Sequence, residues 1–389
     1  MLQEKKMTKF IEKLIITNFE GAPKGSIRLL TPEGCQYEFK GSEAGPHCEL
    51  KINSWKGMED ALKKSDIGLG ESYARGEWST SNLADFLTYC TLNINAMKQG
   101  QDYGFWHKLA LNIYNKFLRA NTKSGSQRNI WAHYDISNSF YQRWLDPSMT
   151  YSSALRVNKR ESLHEAQNNK YQKILDMLHP KGDILEIGCG WGGFAEAAAE
   201  ASHKVTGITI SKKQYGYASQ RLGSRAEIAL QDYRDIKKKY EGIVSIEMFE
   251  AVGEKYWPTY FNKIRESLIE GGKAVIQTIT IKDELFESYR KGSDYIRHYV
   301  FPGGMLPSPG ALKKVVEKAN LQIQSHFEFG EDYAWTLRRW LENFHKVWKE
   351  LLDEGYTPSF LRAWEFYLCY CIAGFESRQT NVMQIEITH

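Results

Sequence analysis

The chain has 389 residues, 42% of them hydrophobic and 25% charged, with a formal net charge of +4. That length points to two domains, and the apolar content suffices for packed cores, which excludes a disordered or low-complexity chain. The most apolar late run, Phe366 to Phe375, is far too short to cross a bilayer, so any membrane contact is expected to be peripheral.

Residues 1–95 mix strand-like runs (26–30 and 36–39) with helical ones (57–63 and 83–92), closely punctuated by Gly and Pro. They predict a small N-terminal α+β domain. Residues 104–119 follow a clearer rule. Trp106, Leu109, Ala110, Ile113 and Phe117 recur at helical spacing, while Lys108, Lys116 and Arg119 take the other face. Residues 101–130 hold five basic and one acidic side chain, which is where the positive excess sits and which suggests an anionic surface as partner. Such a helix either packs on its own domain or lies in a membrane interface, and the pattern fits both. The domains are expected at 1–120, lipid- or membrane-associating, and at 121–389.

From Gly182 the chain alternates strand and helix. Strands are predicted at 183–187, 204–210, 226–230, 242–246 and 273–279, with helices at 195–201 and 212–221. That order calls for a parallel sheet with helices on both faces. Two further strands (321–327 and 383–388) flank a long helical block at 334–352 and 360–371, giving a seven-stranded Rossmann-like α/β sheet with helical insertions.

The strongest local signal is Ile184-Leu185-Glu186-Ile187-Gly188-Cys189-Gly190-Trp191-Gly192-Gly193, a strand running into a glycine turn and then a helix. Glycines let the backbone turn tightly and approach a ligand closely. Gly188, Gly190 and Gly193 alone would also satisfy a dinucleotide fingerprint. Three features favour S-adenosylmethionine instead. Glu186 stands two residues before the first glycine, the second strand ends in Thr209-Ile210-Ser211 with no acid to grip an NAD ribose, and Asp232-Tyr233 follows the third strand, where adenine is held.

The motifs then match a known family. They are His133 to Asn138, Met149-Thr150-Tyr151-Ser152-Ser153-Ala154, Glu186 to Gly193, and Thr206 to Ser211 with Gln214. Leu230 to Asp235, Met248-Phe249-Glu250-Ala251-Val252-Gly253, Tyr299 to Gly304, and Phe329 to Tyr333 complete the set. Over roughly residue 128 onward the chain resembles the cyclopropane-fatty-acyl-phospholipid synthases and mycolic-acid methyltransferases. The resemblance implies that Tyr151, Ser152, Glu186, Gly188, Gly190, Gly192, Thr209, Ser211, Gln214, Asp232 and Tyr233 bind S-adenosylmethionine. It implies methyl transfer to the double bond of an unsaturated phospholipid acyl chain, through a carbocation stabilised by aromatic faces. Loss of a proton from the new methyl then closes a cyclopropane ring. In the family a bound bicarbonate is thought to take that proton, and Glu250 and Tyr333 fall on positions that hold it.

The chain departs from the best-known bacterial pattern. Ser153 stands for Cys, Gln277 for His, Glu247 for Gly and Ala251 for His. Ser and Gln keep hydrogen-bonding capacity, so bicarbonate remains a candidate cofactor, oriented by Glu250. Otherwise Glu250 or Glu247 takes the proton directly. The catalytic set is therefore expected to be Glu250, Tyr333, Ser153, Gln277 and Glu247, with no metal. Alternatives are a methylene- or methyl-branched product, or a methyltransferase fold that only binds lipid. Six scattered cysteines without a CxxC pair predict a reduced, cytoplasmic location, at the inner face of the membrane. No nucleic-acid partner is expected, and a homodimer is left open.

Overall fold

The computed structural model describes residues 2–97, 136–179 and 182–389. The basic segment Trp106–Arg119 and His133 lie outside the described residues.

Two compact units emerge. Among the described residues, one takes those up to 97 with Gly292–His298 and His345–Arg378, and the other takes 136–291, Tyr299–Phe344 and Gln379–His389. Two late segments thus belong with the N-terminal part of the chain.

The first unit holds a four-stranded sheet of β1 (Lys24–Leu30), β2 (Gln36–Lys40), β3 (Glu43–Ile52) and β4 (Trp78–Ser79), ordered β2-β1-β3-β4. The β1–β3 pair is parallel and the others antiparallel. Strands read as 26–30 and 36–39 are therefore present, while β3 and the helix Leu2–Glu20 had no clear sequence signal. The helix Trp55–Ala74 breaks at Ser65, whose φ is 56°. Helix Pro358–Glu376 joins it through Tyr73 Oη donating to Glu365 (2.7 Å), and reaches helix Leu83–Leu92 through Thr88 Oγ1 donating to Glu376 (3.0 Å).

The second unit holds β5 (Ile184–Ile187), β6 (Val205–Thr209), β7 (Glu227–Leu230), β8 (Tyr240–Ile246), β9 (Leu268–Ile281), β10 (Gln322–Glu328) and β11 (Thr380–Thr388). Their order is β10-β11-β9-β8-β5-β6-β7, with β11 antiparallel to both neighbours and the β5 to β9 set parallel. Apolar residues on both faces of β5 and β6 fit a sheet covered on both sides. The chain leaves β5 toward β6 on one side and returns through β8 on the other. That reversal opens a crevice at the carboxyl ends of β5 and β8, where ligands bind in such sheets. Helix Leu163–Leu178 starts at a capping box between Ser162 and Glu165. The block expected over 334–352 is two helices, Gly330–Lys346 and Trp348–Asp353, and the break at Val347 falls beside the passage from one unit to the other.

Candidate active site

The glycine turn sits at the carboxyl end of β5. Gly188 has φ +82°, and a Cβ there would lie 2.7 Å from the Met248 side chain. The amides of Gly188 and Cys189 both donate to the Ile208 carbonyl (2.9 and 3.0 Å), which pins the turn across the end of β6. Gly190 has φ +52°, and nothing lies within 4 Å of the place its Cβ would take, so the turn faces open space there. Gly192 does another job: it precedes helix Gly193–Glu200 and packs on Leu222 and Ala218.

Glu186 is buried one residue from the end of β5. Its Oε2 has no hydrogen-bond partner. Burial pushes the carboxyl up to about 8, against the pull of the Lys170 charge and the Ala195 backbone N–H. A turn open at Gly190 beside an acid with a spare oxygen fits the methionine end of S-adenosylmethionine, whose ammonium would supply the missing donor.

At the end of β6, Thr209 Oγ1 donates to Gln214 Oε1 (2.9 Å), and Ser211 caps the helix Lys212–Leu222 by accepting from the Gln214 N–H (3.3 Å). This knot shapes the crevice wall from within. Asp232 is held by Arg234, with Nε 2.8 Å from Oδ1 and Nη2 2.6 Å from Oδ2. Tyr233 packs edge-on to Tyr260.

An aromatic wall gathers Tyr151 with Tyr141 (5.4 Å between centroids), Trp144 (5.8 Å) and Trp340 (5.2 Å). Tyr141 in turn meets Trp191 of the glycine turn at 5.0 Å. Tyr333 meets Trp340 edge-on at 6.2 Å. Ring faces clustered this way suit a transient cation held away from water.

The carboxylates lie where β8 ends. Glu247 Oε1 accepts from the Ser153 backbone N–H (2.8 Å) and from Gln277 Nε2 (2.8 Å), and Oε2 accepts from Tyr333 Oη (2.6 Å). Four of the five expected catalytic residues are thus directly joined. Glu250, expected at the centre, stands beside them in the turn Phe249–Ala251. One oxygen accepts from the Ile279 N–H, and Oε2 is buried without a partner. Burial first and the Glu247 charge second push it up to about 8.

Two residues that carry this arrangement had not been singled out. Lys170 is fully buried, donating to Ser152 Oγ and Gln167 Oε1 (both 2.7 Å). Burial lowers its pKa, opposed by Glu247, Asp146 and Glu186. Its signal was legible: on helix Leu163–Leu178 it lies on the stripe of Ala166, Ile174 and Leu178, where a lysine is out of place. Gln384, opposite Gln277 on β11, donates to Gln277 Oε1 (3.0 Å) and so turns the Gln277 amide toward Glu247. Ser152, expected at the cofactor, meanwhile has its hydroxyl taken by Lys170.

A seven-stranded sheet with one antiparallel strand, a glycine turn after its central strand and an acid before that turn define a class I methyltransferase. The family model for mycolic acid cyclopropane synthetase matches residues 121–385, and the chain belongs to that family. It is an S-adenosylmethionine-dependent methyltransferase. It is 34% identical to the tuberculostearic acid methyltransferase UfaA1 of Mycobacterium tuberculosis, over 82% of this chain and 78% of that one. It is 32% identical to the cyclopropane-fatty-acyl-phospholipid synthase of Escherichia coli K12, over 87% of each chain. The mycolic acid cyclopropane synthase CmaA1 complexed with SAH and CTAB superposes with a TM-score of 0.63 and 26% identity, covering 68% of this chain and 98% of that one.

Proposed function

We propose that the protein methylates the double bond of unsaturated acyl chains in membrane phospholipids and forms a cyclopropane ring. The observation that carries this reading is the pairing of an aromatic wall with a hydrogen-bonded carboxylate. The wall around Tyr151 suits a substrate cation, and the Glu247 carboxylate, joined to Ser153 and Tyr333, suits a proton acceptor. Likeness to the Escherichia coli enzyme along 87% of the chain supports the phospholipid acceptor. Gly188, Gly190 and Glu186 are the residues we assign to holding the cofactor, which supplies an electrophilic sulfonium methyl. The residues around them position the acceptor and exclude water.

Similarity to the tuberculostearic acid methyltransferase favours a second reading, a methylene- or methyl-branched chain. Mass spectrometry of phospholipids from expressing cells tests the acceptor. The expected gain is one CH2 per modified chain, and no gain in any phospholipid species rejects it. Proton NMR then separates the products, since only a cyclopropane has high-field ring protons and only a methylene branch has vinylidene protons.

The positive excess at residues 101–130 supports docking on anionic bilayers. Co-sedimentation with anionic vesicles should weaken as salt rises. It should also weaken when Lys108, Lys116 and Arg119 become Gln, with cofactor affinity unchanged.

A further inference from the structure

Glu247 has φ +49°, a left-handed backbone, at the position where the resemblance implies glycine. A non-glycine residue adopts that backbone only against steric strain. It persists only where the surroundings over-determine it, and such sites cluster at functional centres. What determines Glu247 is its side chain. Three donors from three separate segments converge on one carboxylate: the Ser153 amide, the Gln277 side chain on β9 and the Tyr333 hydroxyl on helix Gly330–Lys346. The Gln277 amide is fixed in that sense by Gln384.

These are the positions to which the resemblance assigns an external bicarbonate, and their donors are already directed onto Glu247. A second anion there would lack those donors and would lie against both Glu247 and Glu250. The residues present do not fit it. Glu250 is the weaker site for the charge, because it keeps a buried oxygen without a partner. Burial pushes both carboxyls up, but at Glu247 the Tyr333, Ser153 and Gln277 donors and the Lys170 charge oppose the rise, whereas Glu250 is pushed up to about 8 with the Glu247 charge adding to it.

We propose that the Glu247 carboxylate is the proton acceptor of the reaction, so that the chain carries its own base and needs no dissolved anion. This rests on the acyl-chain reading above. The alkene π pair forms the bond to the methyl carbon as the bond from that carbon to sulfur breaks with its pair on sulfur. The positive charge passes to the other alkene carbon. A proton then moves from the transferred methyl to Glu247, and the C–H pair closes the ring. Glu247 returns its proton to water between turnovers.

The experiment is turnover on vesicles of unsaturated phospholipid, with carbon dioxide stripped or bicarbonate added, for the wild type, Glu247→Gln and Glu247→Gly. The wild type should be indifferent to bicarbonate. Glu247→Gln should lose about a hundredfold or more in turnover, with S-adenosylhomocysteine affinity by calorimetry unchanged. Glu247→Gly relieves the backbone and frees the three donors, so it should fold well, turn over slowly, and recover about tenfold or more with bicarbonate or formate. A wild type that slows without carbon dioxide and recovers with bicarbonate overturns the proposal. So does a Glu247→Gln enzyme with near-normal turnover, or a Glu247→Gly enzyme that neither anion rescues. If the wild type methylates another acceptor but never phospholipid, the acyl reading fails alone. The same arms, run on that acceptor, still decide the role of Glu247.

Discussion

At the glycine turn, Gly190 faces open space and Glu186 keeps an oxygen without a partner. On the far side of Met248, Glu247 has three donors of its own. At one end an acid waits for a donor, and at the other Glu247 is fully partnered beforehand, beside a Glu250 that keeps one oxygen spare. The contrast separates binding from chemistry: substitutions at the open end should change affinity, and those at the filled end should change rate. Lys170 interacts electrostatically with both Glu186 and Glu247.

Breaking that shared cation should have the largest effect. Lys170→Met leaves buried carboxyls without their counter-charge. Removing one partner of a buried charge group costs about 3–5 kcal/mol, and chemical denaturation should show a loss of that order. Lys170→Arg, which keeps the charge in a larger head, should lose less.

Next comes Gly190→Val. Its side chain would enter the open space, so thermal stability should fall only modestly from the left-handed backbone. S-adenosylmethionine affinity should drop about a hundredfold, or ~2.7 kcal/mol. Calorimetry that finds unchanged affinity would mean that the space has another occupant.

Glu250→Gln sharpens the other end. Glutamine copies a neutral carboxyl, so this variant should lose about tenfold at most, ~1.4 kcal/mol, far less than Glu247→Gln. Equal losses in the two variants would remove the distinction drawn between them.

The smallest effect is a slope. Glu186 and Glu250 are both raised from 4.5 to about 8 in the folded protein, so the native state binds protons more tightly than the unfolded chain. Their stabilising contribution is full below about pH 4.5, where the unfolded groups are also protonated, and is lost as the pH rises through about 8. Unfolding midpoints without cofactor should therefore decline across that window. The decline should flatten in the Glu186→Gln, Glu250→Gln double variant, and an identical slope would reassign those protons.

The parallel strands were legible because each is an apolar run closed by a turn; β5, β6 and β7 lie within one residue of the expected limits, while β9 starts five residues earlier. The glycine turn was legible because its backbone demand is written in residue type. Among site residues, Glu247 stood out as an acid in place of glycine, but its partners come from positions 153, 277 and 333, far apart in sequence. Only the fold brings them together, so the three donors on Glu247 are not legible in the sequence. Gln384 gave no warning, since a single polar residue in a buried strand is ordinary once a neighbour satisfies it. The strand β3 was hidden by its Gly45-Pro46 step, which reads as a break. The helix Leu2–Glu20 has only a weak apolar face.

The division of the chain between the two units bears on its synthesis. Helix Pro358–Glu376 completes the first unit, whose sheet lies near the start of the chain, and β11 sits between β9 and β10 in the second. On a ribosome the first unit must wait, without its closing helix, while more than 200 residues of the other are made. The gap between β9 and β10 in the second sheet is filled later still. Neither unit can mature by itself in order of emergence, so a nascent chain shortened before residue 358 should leave both unfinished and fall to proteases together.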